Sequence, residues 1–188
     1  MAATWQHPKL GKFKFDLVAW HGVAKAPAFD VFTYDDGLGD QRKPNGKYEI
    51  TFSGEDESDT PSAPAVALAL KVLDAQKELP ARVMKALWDD FNGRGPYSGM
   101  WWHDDLAQVG EAMEDSGAEP PASADDLRKV LWLASIKVRK EVHQYPRPVV
   151  ELSFSAAFEE EHGVGVLTDG KKILGLGYSH DVTPFKEA

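Results

Sequence analysis

Glutamate and histidine meet near the end of this chain in Glu159-Glu160-Glu161-His162-Gly163, and a further histidine follows in Tyr178-Ser179-His180-Asp181. A carboxylate beside an imidazole is the pairing that holds a metal ion or acts as a general base. Asp169-Gly170 lies between the two groups and reads as a two-residue type I′ turn, which sets Thr168 opposite Lys171, Val166 opposite Ile173 and Val164 opposite Gly175. Extending that ladder brings Glu161 opposite Tyr178 and Glu159 opposite His180 on one face, with His162 on the other, opposite Gly177. Gly163 and Gly165 would leave the first face low and open. The candidate binding surface is therefore Glu159, Glu161, His162, Tyr178 and His180. The same residues also have a plain structural explanation. Consecutive carboxylates keep a strand end solvated and unpaired, and the glycines permit a bulge or tight packing.

Elsewhere the reactive side chains are dispersed. The six histidines (His7, His21, His103, His143, His162 and His180) form neither HExxH nor HxH. A metal site would have to be assembled in space, for example from His103, Asp104 and His162, and spacing gives no support for it. No metal and no cofactor is expected. Residues 92–102, NGRGPYSGMWW, lack the order of a phosphate-cradling loop. The adjacent Trp101 and Trp102 can close over a small ligand, but a core or hinge role explains them as well. There is no GxSxG elbow and no dinucleotide fingerprint with strand context, and residues 56–60 lack EF-hand spacing.

The elements that must position these residues follow from periodicity. Residues 13–20, 28–34 and 46–53 alternate as strands, the last with Tyr48, Ile50 and Phe52 on one face. Together they predict an antiparallel meander. Val66, Ala69, Leu70 and Leu73 recur at helical spacing, as do Val83, Met84, Leu87 and Phe91 after Pro80, with Gly93 as a stop. These two helices read as a hairpin packed on the sheet. His103, Asp104 and Asp105 open a third helix running to Met113, with carboxylates at its N-terminus. Ser123 and Asp126 resemble a capping box before a short helix carrying Leu127, Val130 and Leu131. Alternation returns over residues 135–142 and 150–158, then the final hairpin. The expected fold class is α+β: an antiparallel β-sheet, built of an N-terminal meander and a C-terminal hairpin, packed with a central helical insert. One domain over 1–188 is expected, with strands in 13–53, the insert in 62–131 and strands in 135–180.

Composition narrows the role. The 188 residues are 43% hydrophobic and 11% aromatic, enough apolar surface to order the chain. The net charge of −9 opposes a nucleic-acid backbone as partner. The absence of cysteine removes disulfides, thiolate nucleophiles and Cys-based zinc sites, and fits a reducing cytoplasm. No apolar leader and no run long enough for a membrane span is visible, so a soluble cytoplasmic protein without a membrane partner is expected.

The segment FSAAFEEEHGVGVLTDGKKILGLGYSHD resembles the C-terminal signature of uncharacterised bacterial domain families, in which a Glu-His-Gly-hydrophobic-Gly corner leads into a Gly-bearing last strand. The matching residues are Phe158, Glu161, His162, Gly163, Val164, Gly165, Asp169, Gly170 and Gly177. Phe158 and the run of glutamates depart from the tryptophan and aspartate common there. Some such domains sit beside polymorphic toxins as immunity or accessory proteins, so the resemblance implies an interaction module. The leading expectation is a non-catalytic protein-binding module with an acidic surface, using loops such as 55–59 and 159–161 against a basic protein. The alternatives are a small metal-dependent hydrolase using Glu159, Glu161, His162 and His180, and a small-ligand-binding module closed by the Trp101-Trp102 loop.

Overall fold

The computed structural model describes residues 3–35, 43–53, 59–114, 116–140, 142, 145 and 147–186. Eight strands form one sheet in chain order: β1 (Thr4–His7), β2 (Gly11–Asp16), β3 (Ala19–Lys25), β4 (Lys47–Ser53), β5 (Leu131–Arg139), β6 (Val149–Ala156), β7 (Glu159–Thr168) and β8 (Ile173–Tyr178). Every neighbouring pair is antiparallel except β4 and β5, which run parallel. Parallel neighbours need a long crossover, and the helical insert supplies it. That insert holds α1 (Ala63–Asp74), α2 (Leu79–Phe91), α3 (Leu106–Ala112) and a 3₁₀ turn over Ala124–Lys129. The fold is α+β with a mostly antiparallel sheet, as expected.

Period-two patterning explains which face the insert covers. Tyr48, Ile50 and Phe52 of β4, Ile136 and Val138 of β5, and Val150, Leu152 and Phe154 of β6 all point to one buried face. Fully burying an aliphatic or Phe side chain is worth roughly 1.5–3 kcal/mol, so this face dominates stability. Pro64 and Pro80 sit in the first turns of α1 and α2, where a missing N–H costs nothing. Helix α1 packs over β5 and β6, whereas α2 rests on β8 and on the 3₁₀ turns at Pro27–Val31 and Ala124–Lys129. The helices are thus laid side by side along the sheet, and their main contacts are not with each other.

Several sequence expectations are corrected. Residues 13–20 are not one strand: the chain reverses at Leu17-Val18, and Asp16 pairs with Ala19. Residues 28–34 open as a 3₁₀ turn (Pro27–Val31), because Pro27 presets its first residue. A first strand, β1, was not anticipated. Strand β5 begins at Leu131 and ends at Arg139, earlier at both ends than expected. The capping box does not form, since the Ser123 hydroxyl donates to the Asp126 carboxylate and makes no backbone cap. Residues 55–58 of the expected acidic loop, and His143, lie outside the described residues.

The hairpin register also differs. Asp169 Oδ1 accepts from the backbone N–H groups of both Lys171 and Lys172 at 2.8 Å, and Thr168 donates to the Lys172 carbonyl. These bonds spread the reversal over residues 169–172. Thr168 therefore pairs with Ile173, and a shift follows that sets Val164 opposite Tyr178 and Gly165 opposite Gly177. Glu159 pairs with Ala156 of β6, not with His180. Gly163 takes a φ of +67° at the irregularity where β7 crosses Phe154. A Cβ there would collide with the Phe154 carbonyl, which is why glycine is needed. The glycine face of β7 and β8 is not open either. The C-terminal segment folds back across it, and Val182 lies against Gly165 and Gly177. Val182 joins Val142, Val149, Leu167 and Leu174 in a second, smaller apolar cluster.

Candidate functional site

Three of the five candidate residues converge at the base of β7. The Trp101 indole N–H donates to Glu159 Oε2 at 2.8 Å, and Glu159 Oε1 lies 3.0 Å from His162 Nδ1. The His162 ring lies over Tyr178, with centroids 4.7 Å apart. The hydrogen bond that the imidazole donates to Glu159, helped by the charge of Glu161, raises the imidazole above its usual range. Partial burial and the charges of Glu159 and Glu161 raise the Tyr178 phenol. Glu161 itself is exposed and only brushes His162, at 4.0 Å. His180 is elsewhere: in a left-handed conformation (φ 76°), it lies 3.2 Å from Lys137 Nζ. Among the described residues no group of three or more His, Asp and Glu is gathered closely enough to hold a metal ion.

A groove of about 640 Å³ crosses the helix-free face of the sheet. Its floor is short and hydroxylated (Thr51, Ser53, Ser135, Ser153), because the outward positions of central strands carry small polar residues. His21 and Glu49, 2.8 Å apart, line one wall; Glu160, Glu161 and His162 line one end.

At the other end lies a network that sequence reasoning missed. Glu151 is fully buried, yet accepts from Lys137 (3.3 Å), Arg139 (3.0 Å), Ser153 (2.7 Å) and the His180 N–H (3.0 Å). Burial alone would raise its carboxyl, but the His180 N–H, the Lys137 charge, Ser153 and Arg139 outweigh that and hold it below the usual range. Arg139 also donates to the Val182 carbonyl. The cluster therefore fastens the returning C-terminal segment to the sheet. A signal existed: a lone Glu in VVELSFSA beside a strand reading IKVR, and Glu151 stands directly opposite Lys137.

A second buried carboxylate organises the Gly-rich loop. Asp90 accepts from Trp102 Nε1 (2.9 Å) and Ser98 Oγ (2.8 Å) and pairs with His103 Nδ1 (2.5 Å). Trp102 is wholly buried. Both tryptophan N–H groups are thus engaged within the fold, Trp101 on Glu159 and Trp102 on Asp90. Tyr97 stands outside this frame, 71% exposed, with its ring perpendicular to His103.

Charge is unevenly spread. Residues 89–126 hold ten carboxylates and one arginine, which equals the whole chain's net −9, so the remaining residues balance. Within that stretch Asp104, Asp105, Glu111, Glu114 and Glu119 are exposed. Its ion pairs among described residues use Asp89, Asp125 and Asp126, while His103 engages Asp90.

The chain belongs to the family described as Domain of unknown function (DUF6985), whose model matches residues 10–183. No curated protein and no solved structure matches it. No helix among the described residues is long and apolar enough to cross a membrane.

Proposed function

We propose that this chain is a non-catalytic protein-binding module of the toxin-immunity kind, whose partner is a basic protein captured by the acidic insert. The observation that carries this reading is the confinement of the entire net charge to residues 89–126. A concentrated negative field steers a cationic partner and raises its association rate. Tyr97 supplies an aromatic anchor in the midst of that field, and the loop bearing it is held in place by Asp90 before any partner arrives. The hairpin resemblance supplies the toxin-immunity element of the reading. The contact surface is accordingly centred on the insert, with Glu160 and Glu161 at its margin, rather than on the final hairpin alone. Co-expression with a basic toxin domain, where a neighbouring gene encodes one, tests it. Protection of the cells and co-elution of the two proteins are expected. Loss of viability with no complex would reject the reading.

One observation favours the hydrolytic alternative. Glu159, held by Trp101, orients His162 Nδ1 at the margin of the groove, as a general base requires. Hydrolysis of a model ester or peptide that disappears in His162→Ala would transfer the assignment to this site.

A further inference from the structure

We infer that the helix-free face of β2, β3 and β4 docks on an anionic phospholipid surface. The first observation is apolar. Leu17 and Val18 form the tip of the β2–β3 hairpin and are 90% and 73% exposed, and Val23 on the adjoining face is 59% exposed. Leu17 holds a φ of +51°, a conformation that favours Gly or Asn and is strained for a branched side chain. A tip that is both strained and apolar gains nothing from the fold that carries it.

The second observation is charge. Lys12, Lys14, Lys25 and Lys47 project from the same face, all exposed. Lys25 stands directly opposite Lys47, a like-charge pairing that destabilises a sheet unless an anion relieves it. None of the four is ion-paired among the described residues; the acids on this face are Glu49 of β4, engaged by His21, and Asp16 at the base of the tip. The acidic insert packs with the helices on the opposite side of the sheet. At physiological salt, screening over about 8 Å lets the lysine face act on its own.

Lipid fits these features better than an acidic protein does. Protein hot spots rely on Arg, Trp and Tyr seated in pockets. Here the cations are flexible lysines spread along β2, β3 and β4 behind an exposed aliphatic tip, which suits mobile phosphates above an acyl boundary. Each lysine brought to an anionic surface strengthens binding by about fivefold. A peripheral contact of this kind requires no membrane-spanning segment, so the absence of an apolar span in the sequence does not bear on it.

Flotation of the full chain with phosphatidylcholine vesicles, with and without about a third phosphatidylserine, tests the inference. Binding to the anionic vesicles only, weakened by added salt, is expected. Leu17→Gly with Val18→Ser should weaken it roughly fivefold or more, and Lys14→Glu with Lys25→Glu should abolish it. Leu17→Gly relieves the positive φ, so its loss of binding would not be a loss of fold, and the circular dichroism of each variant checks this. Equal binding to both vesicles, no binding at low salt, or unchanged binding by either variant would overturn the inference. Retention of the chain by immobilised polyglutamate without vesicle binding would give the face to an acidic protein and overturn it as well.

Discussion

Glu151 is the residue on which the sheet's outer face depends. It is a fully buried carboxylate that touches two cations, the hydroxyls of Ser153 and Ser179, and a backbone N–H. Replacing it with Gln leaves Lys137 and Arg139 without their counter-charge. Since those cations remain partly exposed, the expected loss is about 2–3 kcal/mol, below the range for breaking a wholly buried pair. The carboxyl is held below its usual range when folded. Its stabilisation is therefore present at pH above about 4.3 and is lost as pH falls through the depressed folded value. Denaturation of wild type and Glu151→Gln across pH should show a gap at neutrality that closes in acid. A gap constant down to pH 3 would contradict this. His162 has the opposite sign: its raised folded value adds stability that is present in acid and lost as pH rises through that value. In an NMR titration Glu159→Gln should bring the His162 midpoint back down. Glu159 and His162 lie three residues apart on β7, an odd spacing that a regular strand would put on opposite faces, and the irregularity at Gly163 is not legible from spacing. The Glu151 cluster is legible only in its Lys137 partner, because the His180 N–H reaches it from beyond the last strand.

At the scale of elements, the β2–β3 turn and the returning C-terminal segment carry the clearest consequences. Leu17→Gly should stabilise the fold by about 1 kcal/mol, because glycine takes the positive φ without strain. A lower thermal midpoint in that variant would contradict the turn geometry. Gly175→Ala would drive a Cβ into the Thr183 carbonyl. It should free the segment and speed hydrogen exchange at Phe185, whose N–H donates to the Leu174 carbonyl at 2.7 Å. The strands whose inward residues are large and strictly alternating could be read directly: Tyr48, Ile50 and Phe52 of β4, and Val150, Leu152 and Phe154 of β6. Helices α1 and α2 were equally plain from their spacing, with Pro80 and Gly93 marking the ends of α2; α3 starts only at Leu106, and the helix read through Leu131 is a 3₁₀ turn ending at Lys129. The Leu17-Val18 reversal was not, since it lacks the Gly or Asn that signals such a turn. The glycine face of β7 and β8 looked open because nothing in its own strands reveals what returns to cover it. Val182 does so from beyond the last strand.

The whole molecule is a sheet with two unlike sides. One carries the helices and, in residues 89–126, all of the net negative charge; the other is a hydroxyl-floored groove flanked by lysines. The acidic composition was evident from the sequence, and its confinement to the insert gives the binding proposal a location. Asp90→Asn should leave the acidic field almost unchanged but loosen the loop that presents Tyr97, because Trp102, Ser98 and His103 lose a charged acceptor. Partner dissociation should then quicken while association stays near wild type. Reversal of Glu111, Glu114 and Glu119 to lysine should do the converse. The most direct test of the central claim is the association rate with such a basic toxin domain, measured against salt concentration. A rate that falls roughly tenfold or more from low to physiological salt, and as far in the triple reversal, is predicted. A rate indifferent to both, or no complex at all, would contradict it.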